Sequence, residues 1–146
     1  MCFMKMGPDV PNCYYRVSVK ALITNEHNQL LVVRERDSWD MPGGGLEWGE
    51  DLHSALRREI REELGCDAVI EAQPILIVPA INRTYQQQAL WIIYRAKLST
   101  VEILKSYFET NYIGVDEFAK SDPAEETWSS PVDFFDALKK ILDTKY

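Results

Sequence analysis

The run from Leu52 to Leu64 constrains the fold more than any other part of the chain, because it follows helical periodicity and then breaks it. Leu52, Ala55 and Leu56 recur on one helical face, and the next inward positions by that spacing fall near 59, 62 and 63. Those positions hold Glu59, Glu62 and Glu63, at about −20°, −80° and +20° around the axis from Leu52. Ile60 and Leu64 widen the apolar side, while Arg57 and Arg61, at about 140° and 180°, take the solvated one. The acids are therefore expected beside the core rather than opposite it. Like charges so close raise one another's pKa and oppose folding unless a cation lies among them. Oxygen-only donors of this kind suit Mg²⁺ or Mn²⁺. Arg58, four residues before Glu62, can hold that carboxylate and offset its charge.

The residues ahead of the helix complement the acids. Gly43, Gly44 and Gly45 let a ligand approach the main chain, Glu50 stands where the helix dipole favours an anion, and Gly65 sits where a left-handed C-cap belongs. This unit resembles the Nudix box of the MutT/Nudix hydrolases: a glycine, five residues, a glutamate, seven residues, then Arg-Glu-apolar-any-Glu-Glu-any-Gly-apolar. The matching residues are Gly44, Glu50, Arg58, Glu59, Ile60, Glu62, Glu63 and Gly65. Cys66 replaces the usual aliphatic residue at the last position, where it packs as a small hydrophobe. Trp39, shortly before Pro42-Gly43-Gly44, extends the resemblance upstream.

What the resemblance implies is an α/β fold, the Nudix-type α/β/α sandwich with a mixed central sheet, and metal-dependent hydrolysis of the diphosphate linkage of a nucleoside diphosphate joined to another group. It puts metal ligands at Glu59, Glu62, Glu63 and the main-chain oxygen of Gly43, with Glu102 as one further acid. Glu50 would support the metal cluster and Arg58 would orient a catalytic glutamate. Glu62 is the first choice of general base, and Glu109, Glu125 and Glu126 remain open as bases from a later loop. Arg36, Trp39, Arg83 and Tyr85 are the aromatic and basic candidates for holding base or phosphate. Pro79 and Tyr85 fall out of register with the ADP-ribose and diadenosine-polyphosphate patterns, so the nucleotide stays open. The alternative is a Nudix-fold module that binds a nucleotide without cleaving it; such modules usually lose box acids, and here all are present.

A chain of 146 residues fits one domain over residues 1–146, with 1–13 as a tail or leading loop. Its net charge of −7 argues against a long polyanion as partner, and does not disfavour a nucleotide-type small molecule whose phosphates arrive with their own metal. No apolar run approaches the roughly 18 residues needed to span a membrane, and residues 1–6 lack the regions of a signal peptide, so a cytoplasmic protein is expected. A homodimer is left open. Three cysteines without a CxxC, and His27 far from His53, give zinc little to bind.

Along the chain, Tyr15, Val17, Val19, Ala21 and Ile23 alternate with polar residues as in a half-buried strand. Asn25–Asn28 form a turn, and Gln29–Arg34 read as the return strand of a hairpin. Ala68–Val78 looks like a strand broken near Pro74 and closed by Pro79, and Gln88–Leu98 like a central strand. A short strand is expected over Tyr112–Val115, a solvated acidic loop over Asp122–Glu126, and a last helix capped at Ser130 with the apolar stripe Phe135, Leu138 and Leu142. Strands with helices placed among and after them suggest a mixed sheet between helices.

Overall fold

The computed structural model describes residues 14–35, 37–82, 86–100, 108–121, 128–129 and 133–144. A six-stranded sheet forms its centre. Strand β1 (Tyr15–Leu22) lies parallel to β7 (Gln87–Leu98) and antiparallel to β4 (Gly43–Gly45). Beyond β7 come β6 (Leu76–Asn82) and β9 (Trp128–Ser129), and β5 (Ala68–Ile70) pairs with the far end of β7. A second, three-stranded sheet places β2 (Leu30–Glu35) between β3 (Ser38–Asp40) and β8 (Thr110–Ile113). The helices are α1 (Leu52–Leu64), α2 (Val115–Ser121) and α3 (Phe134–Asp143).

Strands β2 and β7 are covered on both faces along their middles, which is why Leu30–Val33 and Leu90–Tyr94 read as unbroken apolar runs. Val19, Ala21, Leu31, Val33, Ile92 and Tyr94 pack with Ala55, Leu56, Ile60 and Leu64 of α1. Residues of opposite parity, Leu22, Leu30, Val32 and Ile93, pack with Phe118 of α2 and Leu138 of α3. The result is the mixed-sheet α/β sandwich expected from the sequence. Helix α1 begins at Asp51, whose carboxylate accepts from the Ser54 amide at 2.9 Å, and ends at Gly65 with φ 67°.

Four readings are corrected. Strands β1 and β2 do not form a regular hairpin: they touch through the Leu31 amide and the Ile23 oxygen at 2.8 Å, beyond the Asn25–Asn28 turn, and then part into different sheets. The glycine strand and β7 take both edges of β1, so β2 must turn to other partners. Pro79 lies inside β6, opposite Leu90, instead of ending it. Among the described residues, the outer edge of β6 pairs with β9 at Ile81 and Asn82, near the strand's end. Val115 opens α2 and is not part of β8. Finally, α3 is capped by Asp133, which accepts from the Asp136 amide at 2.9 Å; Ser130 and Pro131, like the tail at 1–13 and the acidic stretch at 122–126, lie outside the described residues.

Candidate active site

The glycine strand β4 and the helix α1 build the site between them. Gly43 has φ 133°, and a Cβ there would fall 2.0 Å from the Val19 oxygen, so only glycine lets β4 lie this close to β1. At Gly44 a Cβ would fall 2.6 Å from Oε1 of Glu59. The missing side chain thus makes the space in which the Glu59 carboxylate rests against the strand. Glu63 reaches the same strand one turn along, where its Oε2 accepts the Gly43 amide at 2.8 Å.

Arg58 ties the rest together. Its Nε donates to Glu50 Oε1 at 2.7 Å and its Nη2 to Glu50 Oε2 at 3.0 Å, a bidentate grip across the loop. Nη2 also donates to the Gly45 oxygen at 3.1 Å, while Nη1 reaches Glu59 Oε1 at 2.9 Å and Glu62 Oε2 at 3.3 Å. The Arg58 side chain is 23% exposed and those of Glu50 and Glu59 are 18% and 15% exposed, so this network is sheltered from bulk screening. Hydrogen bonding to Arg58, then to the Glu47 amide, holds Glu50 below the usual carboxylate range. The same bond with Glu50 raises the already high pKa of the guanidinium. Glu63 behaves differently: burial pushes its carboxyl up to about 7, despite the Gly43 amide and the charge of Lys20, which pull it down.

The expectation of three acids on the inward side holds for Glu59 and Glu63 and is corrected for Glu62, whose side chain is 58% exposed. Glu62 was the acid expected farthest from the apolar line, and it sits at the solvent margin of the helix. Trp39 lies on β3, packed against the second core, with the Arg34 guanidinium 5.5 Å from its ring centroid. Glu109 pairs with Arg34 at 3.4 Å. Arg36, Arg83, Tyr85, Glu102, Glu125 and Glu126 lie outside the described residues.

One residue of the site escaped the sequence reading. Lys20 of β1, only 15% exposed, donates to Asp40 Oδ2 at 2.6 Å, to the Gly43 oxygen at 3.2 Å and to the Met41 oxygen at 3.3 Å. Its place in the polar phase of β1 suggested solvent, but in a sheet covered on both faces the polar phase is also enclosed. Burial on both sides was the signal that could have found it.

Among the described residues no three acidic, histidine or cysteine side chains are gathered tightly enough to hold an ion as they stand. The donor set nevertheless fits a hard divalent cation. Glu59, Glu62 and Glu63 are each engaged through a single oxygen, by Arg58 or by the Gly43 amide, and Gly43 adds a carbonyl at the same place. Glu59 and Glu63 already rest against the glycine strand, and Arg58 links Glu62, at the solvent margin, to Glu59.

A model of the NUDIX domain family matches residues 14–141. An RNA pyrophosphohydrolase of Ruthia magnifica subsp. Calyptogena magnifica is 43% identical over 53 residues, covering 35% of this chain and 30% of that protein. A putative 8-oxo-dGTP diphosphatase of Bacillus subtilis (strain 168) is 38% identical over 61 residues, 40% of this chain and 41% of that one. The chain thus spans less than half the length of these curated relatives. The crystal structure of a MutT protein from Methanosarcina mazei Go1 superposes with a TM-score of 0.70 over 90% of this chain and 98% of that one, at 24% identity, a likeness of fold.

Proposed function

The chain belongs to the NUDIX domain family, and from that membership we propose that it is a Mg²⁺- or Mn²⁺-dependent hydrolase that cleaves the diphosphate linkage of a nucleoside diphosphate joined to another group. The observation that carries this reading is the Arg58 network, which aligns Glu50, Glu59 and Glu62 beside the glycine strand that Glu63 also touches. A purely structural ion pair would need one acid; this arginine serves three. The two curated relatives are both named for diphosphate chemistry, which supports the reaction class and leaves the nucleotide unassigned.

In this proposal Glu59, Glu62, Glu63 and the Gly43 oxygen would hold the divalent ion, which would supply charge neutralisation at the phosphate oxygens and a more acidic water. Glu62, the most exposed of the acids, accepts the proton of the attacking water. Arg58 fixes the Glu62 carboxylate through Oε2 and is itself immobilised by Glu50, so the base meets the water in one orientation. Trp39 and, beyond the described residues, Arg36, Arg83 and Tyr85 are the proposed contacts to base and phosphate. A single domain over residues 1–146 and a cytoplasmic location belong to the same proposal; no helix among the described residues is long and apolar enough to cross a membrane.

The test is a turnover screen of nucleoside triphosphates, oxidised nucleotides, dinucleoside polyphosphates, nucleotide sugars, ADP-ribose and a short 5′-triphosphorylated RNA, each with Mg²⁺, Mn²⁺ and EDTA. Hydrolysis that requires the metal and stops with chelator is expected. Nucleotide binding without turnover on any substrate would replace the enzyme by a non-catalytic binding module.

A further inference from the structure

We infer that Lys20 is an internal counter-cation for the glycine strand, holding the Gly43 oxygen in the metal-free protein and competing for it with the divalent ion. This rests on the assignment of Gly43 as a ligand in the proposed function. The register of β1 against β4 sets Lys20 directly opposite Gly43. From there its ammonium donates to Asp40 Oδ2 and to the oxygens of Met41 and Gly43. A structural ion pair would be complete with Asp40 alone. Here the same ammonium also donates to the Gly43 carbonyl, while the amide of Gly43 binds Glu63 and Glu59 lies against the neighbouring Gly44. Gly43 therefore carries a cation on its oxygen and an anion on its nitrogen, and a second cation at that oxygen meets the first at close range.

Removing the charge of Lys20 should then strengthen metal binding while weakening the metal-free fold, where Asp40 and Glu63 lose their cation. Free Mn²⁺ measured by electron paramagnetic resonance gives the dissociation constant for the parent, Lys20→Met and Lys20→Gln. We expect both variants to bind about tenfold more tightly, and both to melt at a lower temperature than the parent in EDTA. Affinities equal to or weaker than the parent's overturn the inference while leaving the proposed function standing. No Mn²⁺ binding by parent or variants removes the proposed function and this inference with it. Should the variants fail to fold, the parent decides the matter through the ¹⁵N spectrum of its lysine ammonium groups. On Mg²⁺ saturation the Lys20 signal should move while those of Lys139 and Lys140 stay in place, and an unmoved Lys20 signal overturns the inference.

Discussion

Glu63 sits in surroundings that oppose its own charge, and that fixes how stability depends on pH. Its folded-state carboxyl is raised from 4.5 to about 7, so the folded chain binds the proton more tightly than the unfolded one. The metal-free protein is expected to lose stability as pH rises from about 4.5 to about 7, by as much as about 3 kcal/mol. Urea unfolding in EDTA across this range measures the slope, and Glu63→Gln should flatten it. Glu62 is exposed, so Glu62→Gln should change stability by less than about 0.5 kcal/mol yet lower turnover by about 100-fold; equal losses in both would end its assignment as base. Arg58→Met removes the cation that Glu50 and Glu59 share, and should lower the melting temperature as well as the activity. The acids were legible in the sequence because they broke a helical stripe. Lys20 was not, because a lysine in the polar phase of a strand looks solvated until the second face is known to be covered.

At the scale of elements, α1 was legible to within a residue because its stop signal is local: Gly65 supplies the left-handed cap from which its amide bonds to the Arg61 oxygen at 3.0 Å. Gly65→Ala should therefore cost about 1 kcal/mol in a thermal melt, with the turnover rate well below the melting temperature unchanged, since no side chain of the site moves. Strand partners were less legible. The Asn25–Asn28 turn is written in local residues, and Asn28 does take a positive φ of 56°. Which strand then lies beside β1 depends on Gly43–Gly45 and Gln87–Leu98, residues far along the chain, and no local pattern encodes that choice. Pro79 misled for a related reason: the strand runs on through it, opposite Leu90, because its place is set by pairing with β7 and not by the local residues.

Across the whole molecule, the two cores make the sandwich stable on its own while the acid row makes one edge of it unfavourable without a cation. Mg²⁺ at about 100 times its dissociation constant should stabilise the fold by about 2.7 kcal/mol, reversed by EDTA; a melting temperature indifferent to Mg²⁺ would contradict the proposed site. The path of the chain adds one more consequence. Trp39 belongs to the three-stranded sheet and the glycine strand to the six-stranded one, with Met41 and Pro42 running between them. A nucleotide held by Trp39 on one sheet and by the metal-bearing edge on the other would span the seam. Its binding should then slow amide hydrogen exchange in β2 and β8 as well as in β3, which it touches, because the three strands could no longer part from their neighbours without releasing it.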